Sequence, residues 1–223
     1  VTELLNFNAA RRLGPVVLTG RYGRVEKLDP ARHGVGLWNA MKVEPTLWDY
    51  MPYGPFDSAD QFQAWLSERA PLADPYVYAV IAPDGRSLGL AALMSIRPEM
   101  GVIEVGHIAY SPALQRTPLG TEAQYLLARH AFETLGYRRY EWKCNALNAA
   151  SRRAAERYGF TFEGIFRQHM IVKGKNRDTA WFSIVDSEWP TRKTAFERWL
   201  APENFDAQGR QKASLASLMA ASG

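Results

Sequence analysis

Two neighbouring segments hold the residue types that could do chemistry. In "GVIEVGHIAY" (101–110) a single carboxylate, Glu104, interrupts an apolar run, and an imidazole, His107, follows three positions later. Carboxylates and neutral imidazoles are the usual side-chain bases near neutral pH, so Glu104 is the leading candidate to take a proton from a substrate and His107 its rival. Strand periodicity predicts Glu104, Gly106 and Ile108 on one face and Val105, His107 and Ala109 on the other. The plain alternatives are an ion pair between Glu104 and an arginine of an adjacent strand, and ordinary packing for His107.

The following segment, "SPALQRTPLGTEAQYLLARHAFETLG" (111–136), runs from a loop into a long helix whose apolar stripe is Leu119, Ala123, Leu126, Leu127, His130 and Ala131. The first N–H groups of a helix have no intrahelical partner and carry the positive end of its dipole. Gln115, Arg116, Thr117, Leu119, Gly120 and Thr121 therefore make an anion site suited to a phosphate, with an ordinary capped helix as the alternative. The loop lacks the Gly-Lys-Ser/Thr ending of a phosphate-binding P-loop and the three glycines of a dinucleotide fingerprint. Further on, "NAASRRAAERYGF" opens with Asn148 as helix cap and Ser151 in its first turn, and stops at Gly159. Cys144, the one cysteine, sits in the apolar strand "YEWKCN" with no activating histidine in sequence and is expected to be a buried thiol. The four histidines show no metal-ligand spacing.

Elements that would position these groups can be traced along the chain. Residues 1–14 form an arm that ends at Gly14-Pro15. A strand or hairpin at 16–28 precedes a helix capped by Asp29 with Pro30 at its first position. A proline-rich loop (44–56) holds Trp48, Tyr50, Tyr53 and Phe56 on irregular backbone, and a second helix begins at Asp57 or Ser58. Two strands turn at Pro83-Asp84-Gly85-Arg86, and the strand of Glu104 follows. After the long helix come a strand (137–145), the Asn148-capped helix, two more strands and a helix beyond Pro190. The last twenty or so residues, poor in large apolar types, are expected to be a tail. The domain division is thus an arm (1–14), one domain (15–190) and a C-terminal helix and tail (191–223). This order predicts an α/β (α+β) fold, a mainly antiparallel sheet with one parallel crossover near 101–144 and helices on both faces.

Composition bounds the function classes. The chain has 223 residues, 47% of them hydrophobic, and carries 27 Lys plus Arg against 23 Asp plus Glu, a formal charge of +4. That suffices for one domain and does not point strongly to nucleic acid; no strand interleaves aromatic and basic residues as RNA platforms do. No apolar run is long enough to span a bilayer, and the single cysteine and lack of a leader pattern at the start favour a cytoplasmic address. A homodimer is compatible with this composition.

Taken in order, "GHIAYSPALQRTPLG", "NALNAASRRAAERYGF" and "KGKNRDTAWFSIVDSEW" resemble the GNAT N-acetyltransferases, in the branch of the ribosomal-protein N-terminal acetyltransferases and their small-molecule relatives, over roughly residues 16–190. The resemblance implies acetyl-CoA as acyl donor and a primary amine, on a small molecule or a protein N-terminus, as acceptor. It implies cofactor contacts at Ile108, Ala109, Tyr110, Gln115, Arg116, Thr117, Leu119, Gly120, Thr121, Asn148 and Ser151. Two positions depart from the pattern. Pro118 replaces the first glycine of the loop signature and removes one N–H donor. Ala155 stands where many members place a tyrosine that protonates the leaving thiolate, so Tyr158, one turn away, becomes the candidate acid, paired with Glu104 as base. Trp48, Tyr50, Tyr53, His107, His169 and Asp178 are the candidates for the acceptor pocket. The alternative is a non-catalytic acyl-CoA-binding or sensing module of the same fold.

Overall fold

A computed structural model describes residues 7–221. Eight strands form one sheet in the order β1-β2-β3-β4-β5-β6-β8-β7, with ranges Val17–Thr19, Arg24–Lys27, Tyr76–Ile81, Ser87–Arg97, Val102–Tyr110, Arg139–Asn145, Thr161–Val172 and Lys175–Val185 for β1 to β8. Every neighbouring pair is antiparallel except β5 and β6, which are joined by a helical crossover and run parallel. A parallel pair cannot be closed by a tight turn, so the long helix lies between them.

Helices α1 (Pro30–Met41) and α2 (Ala59–Arg69) cover one face; α3 (Pro118–Arg129), α4 (Ala149–Arg157), α5 (Trp189–Leu200) and α6 (Leu215–Ala221) cover the other. Their starts follow from local chemistry. Asp29 accepts from the N–H groups of Ala31 and Arg32, and Ser58, rather than Asp57, accepts from Gln61. Asn148 accepts from Ser151, as the capping pattern predicts. On the α1–α2 face, Trp48, Tyr53, Phe56, Phe62 and Trp65 pack ring on ring at centroid distances of 4.6–6.2 Å. Such pairs contribute about 0.5–1.5 kcal/mol each beyond area burial, which fixes a loop that has little regular backbone of its own.

Three expectations are corrected. The C-terminal stretch is no tail: Trp199, Leu200, Leu215, Leu218 and Met219 are buried in the larger core, so the segment after residue 190 belongs to the same packed unit. Within the arm, residues 1–6 lie outside the described residues, but Ala10 and Arg11 donate to the carbonyls of Pro98 and Leu135 and dock the chain on the body. Third, strict alternation along β5 fails. Three residues of β4 (Leu90 to Ala92) oppose four of β5 (Ala109 to Gly106), which makes a bulge with His107 at φ 48°. A bulge inserts one unpaired residue and inverts the parity beyond it. Ile103, Val105 and Ile108 consequently share the α3 face, while Glu104, Gly106 and His107 turn toward α1 and α2, with Ala109 following them. Among the described residues no helix is long and apolar enough to cross a membrane.

Candidate functional site

The bulge at His107 also ends the parallel pairing. β5 and β6 pair from Val102↔Arg139 to Val105↔Trp142 and then part, because the extra residue increases local twist and turns β5 away. Beyond Val105 and Trp142 no pairing joins Gly106–Tyr110 to Lys143–Asn145, which leaves a gap between the two strands. Since both strands run the same way, α3 and α4 start at the same end of the gap, and their N-termini face it together. That juxtaposition is what parallel topology dictates.

At the head of α3 the loop is tightly built. Thr117 Oγ1 accepts from the Gly120 N–H at 3.1 Å and donates to the Leu114 carbonyl at 2.7 Å. A Cβ on Gly120 would stand 2.8 Å from that same carbonyl, so only glycine lets the loop close on the helix. Arg116 holds φ 60°, a left-handed turn directly before the helix. Among the described residues the N–H groups of Arg116, Thr117 and Leu119 are donated to nothing in the protein. Pro118 removes one donor, and three remain. Gln115 folds back, its Nε2 on the Tyr110 carbonyl at 2.9 Å. Thr121 accepts from Arg157 Nη1 at 3.1 Å, which adds a guanidinium to this end of the gap. Leu119 is a core residue, and the Tyr110 hydroxyl bonds Gly120 and Gln124 on the same side.

Glu122, which the loop composition left unexplained, is structural. Its buried carboxylate accepts from the N–H groups of Arg21 at 2.6 Å and Tyr22 at 2.7 Å, and Gly20 lies so close that any Cβ would collide with it. It pins the β1–β2 turn to α3. Across the gap, Asn148 caps α4 and Ser151 Oγ accepts from Trp142 Nε1 at 3.0 Å, so both carry structural work beside the cofactor role the family implies. Burial pushes the Cys144 thiol up, which keeps it protonated and poorly nucleophilic.

On the α1–α2 side of the sheet, Glu104 is buried and ion-paired with a lysine instead of the expected arginine. Its Oε2 meets Lys143 Nζ at 2.9 Å and accepts from Ser95 Oγ at 2.9 Å. Lys143 is shared with Glu141 at 2.8 Å. Ser95 reaches Glu104 because β4 carries its own bulge there, at φ 50°, held by Asp74 accepting from the Ser95 and Ile96 N–H groups. Among the described residues no donor is given to Oε1. Thus two bulges, one on each strand, frame one carboxylate.

His107 turns to the same side of the sheet, its Nδ1 2.7 Å from the Tyr53 hydroxyl and its ring stacked on Tyr53. Burial first, then the positive charges of Arg69 and Arg177, push its pKa down to about 4, against a smaller opposing effect of Asp74. At neutral pH it is an uncharged imidazole. Tyr50 reaches across to the Leu147 carbonyl at 3.3 Å, and Lys173 at the β7–β8 turn donates to the Trp48 carbonyl at 2.9 Å. The aromatic loop is therefore strapped over this end of the gap.

Not every candidate converges here. Trp48 is buried inside the aromatic cluster and lines a small cleft with Trp38, Met41 and Phe62 that none of the other candidates lines. Asp178 points to the other side of β8, where it accepts from the Gln168 N–H and Asn176. His169 does share the face of Lys143 and Trp181, bonded to Thr179 at 3.0 Å, but stands on the exposed edge strand. Tyr158 lies on the opposite face of the sheet from Glu104, packed on Trp142 and Phe196, with its hydroxyl toward Thr121. Burial raises its pKa. Ser95, Lys143, Arg69 and Arg177 are missed by the sequence reading. Lys143 offered a signal, since a charge in "YEWKCN" is as conspicuous as Glu104 in its strand.

Comparison with known proteins matches this geometry. The profile of the acetyltransferase (GNAT) domain matches residues 30–161. A GCN5-related N-acetyltransferase from Brucella melitensis is 47% identical, with a TM-score of 0.95 over 97% of this chain and 100% of that one. A GNAT-family acetyltransferase from Chromobacterium violaceum is 43% identical, with a TM-score of 0.80 over 85% of this chain and 96% of its own. A structure named for ribosomal-protein-serine acetylation, from Vibrio cholerae, is 18% identical, with a TM-score of 0.67 over 76% of this chain and 97% of its own, and shares the fold alone. No curated protein matches the chain. The split parallel pair, the helix starts that face it and the breadth of these matches agree: the chain belongs to the GNAT acetyltransferase family.

Proposed function

We propose that the protein is an acetyl-CoA-dependent N-acetyltransferase that acts on a primary amine by direct attack in a ternary complex. The observation that carries this reading is the gap between β5 and β6 with undonated loop amides at one end and an ion-paired carboxylate at the other. GNAT acetyltransferases use acetyl-CoA as donor, and the donor set here fits it. The N–H groups of Arg116, Thr117 and Leu119, with Arg157 beside Thr121, offer a diphosphate three amides and a charge. The open edge of Ile108, Ala109 and Tyr110 offers a backbone to the pantetheine amides, and the α4 start at Asn148 and Ser151 closes the other side.

Chemistry at the far end needs an uncharged amine, a fixed thioester and a proton for the leaving thiolate. The amine nitrogen bonds to the acetyl carbon, the carbon–sulfur bond breaks, and the amine proton passes to a base. Glu104 takes that role through Oε1, directly or by one water, while Lys143 and Ser95 fix Oε2. His107, neutral and oriented by Tyr53, positions the acceptor. Tyr158 turns its hydroxyl toward Thr121, at the diphosphate end of the gap, so water takes over from it as the source of the thiolate's proton.

Calorimetric titration with CoA, combined with a thiol-release assay over a panel of primary amines, tests the proposal. CoA binding with release in the presence of an amine supports it. Binding without release on any amine favours the acyl-CoA-sensing alternative, and no binding removes both. Whether the acceptor is a protein N-terminus, as the branch resemblance suggests, or a small molecule is decided by including N-terminal peptides in the panel.

A further inference from the structure

Buried charge in this protein is paired almost wherever it occurs. Arg139 bonds Glu141 and Glu163, Arg24 and Arg32 bond Glu26, and Lys143 bonds Glu104 and Glu141. Two arginines beside His107 break the pattern. Arg69, in the last turn of α2, holds its guanidinium carbon 5.9 Å from the centre of the Tyr53 ring, and Arg177 extends from β8 on the face of Lys143 and Trp181. Both residues are half-buried; among the described residues neither side chain makes a hydrogen bond or an ion pair, and the Nε of each is buried without an acceptor. Trp65 Nε1, next to Tyr53, and Trp181 Nε1, beside Lys143, are buried and unpaired as well. All four of these groups are donors.

The carboxylates within reach are already engaged. Asp74 is spent on the Ser95 and Ile96 amides, and the Oε2 of Glu104 on Lys143 and Ser95. Burial pulls the Arg177 pKa below its ordinary value, the mark of a cation that the fold has desolvated without full compensation. The α2 carbonyls offset part of the charge on Arg69, because a helix C-terminus favours a cation. For Arg177 the offset comes from Cys144 and Glu104 and is smaller than the effect of burial, with no acceptor bonded to its side chain. A cation pair with idle donors, beside the residue that would orient the acceptor, calls for an anion that arrives with the substrate.

We propose that the acceptor amine carries a carboxylate, received by Arg69 and Arg177, so that the substrate class is amino acids or peptides with an acidic group close to the reacting amine. A planar guanidinium donates two parallel bonds to a carboxylate, and a neutral amine has nothing to offer it. This inference rests on the acetyltransferase reading above and adds the acceptor class to it.

Thiol release is measured with matched amine pairs, each amino acid against the amine that lacks its carboxylate, and with acidic and neutral peptides as a second set. The expected result is a kcat/KM at least tenfold higher for the carboxylated member, expressed mainly in KM. In R69Q and R177Q the preference collapses to within threefold. Independently of turnover, calorimetric titration of N-acetylglycine into the CoA-loaded protein is expected to give binding that R177Q weakens at least tenfold. Turnover that ignores the carboxylate, or N-acetylglycine bound equally by R177Q, overturns the inference and leaves the acetyltransferase reading intact. No release with any amine overturns that reading and this inference with it.

Discussion

Replacing Glu104 by glutamine separates a base from a structural ion pair. Glutamine keeps the shape and one oxygen acceptor, so Lys143 Nζ and Ser95 Oγ, each 2.9 Å from Oε2, can both retain a partner. What is lost is the charge. A hydrogen bond to an ionised group contributes about 1.5–3 kcal/mol and a neutral one about 0.5–1.5, so two bonds lose about 2 kcal/mol together. Lys143 is not left stranded, because Glu141 stays 2.8 Å away, which keeps the penalty well under the roughly 3–5 kcal/mol expected for an orphaned buried charge. At about 2–4 °C per kcal/mol for a chain of this length, the thermal midpoint should fall by about 4–8 °C.

The kinetic effect has a different size. Loss of a general base lowers the rate by about 10²–10⁴, or about 3–5 kcal/mol of barrier. The assay is kcat at saturating acetyl-CoA and acceptor, followed by thiol release from pH 6 to 10, with CoA affinity measured in parallel. E104Q should bind CoA as the parent does, because the groups proposed to hold the cofactor are backbone amides and the two helix starts. Its kcat near neutrality should fall at least a hundredfold and then climb with pH as the free amine deprotonates by itself. A variant that loses its few degrees of stability but keeps kcat within threefold refutes the role of Glu104 as base and leaves it an ion-pair partner.

Other outcomes follow from the same contacts. Because His107 is pushed down to about 4 from an ordinary 6.5, the unfolded chain takes up its proton first as pH falls. That stability contribution is complete above about pH 6.5 and is lost toward pH 4, amounting to about 2 kcal/mol between pH 7 and 5. Urea unfolding of His107→Asn, a residue that accepts the left-handed backbone, should show a flatter dependence over that range; an unchanged slope would place the acid sensitivity elsewhere. Gly120→Ala sets a Cβ 2.8 Å from the Leu114 carbonyl, so CoA affinity should drop at least tenfold, and normal CoA binding would remove this loop as the phosphate site. Glu122→Gln replaces one acceptor oxygen of a buried carboxylate that holds the Arg21 and Tyr22 amides, for a loss of about 2–3 kcal/mol by thermal unfolding; a loss under about 0.5 kcal/mol would show that the β1–β2 turn needs no such anchor.

The elements themselves were legible because each announced itself by local chemistry. Asp29-Pro30, Ser58 and Asn148 mark helix starts by the hydrogen bonds they make to exposed amides. The parallel crossover was legible from a long helix between two apolar strands. The buried C-terminal segment was not, because "LASLMAA" is short and half of it is small residues. Leu215, Leu218 and Met219 do recur at helical spacing, yet three apolar positions acquire meaning only against the surface of Trp199 and Gly159 that receives them. Trp48 and Asp178 stand apart from Glu104 for a related reason: residue type said what they could bind, while packing holds Trp48 in the aromatic cluster and Asp178 on Gln168 and Asn176 at the β7–β8 edge.

The site itself turned on two residues in left-handed backbone, Ser95 and His107, neither of them glycine. Periodicity treats every strand residue as a step of the same size, so it cannot register an extra one, and a single extra residue inverts every side chain beyond it. Here the inversion has three linked effects. It turns His107 to the face of Glu104, it sends Ile108 into the α3 core, and it parts β5 from β6 where the parallel ladder would otherwise have continued to the strand ends. Backbone strain of this kind costs roughly 1–3 kcal/mol per residue and persists only where its surroundings fix it. The Asp74 carboxylate on the Ser95 amide and the Tyr53 hydroxyl on His107 supply that fixing, at the two positions where the fold needs a gap instead of a sheet.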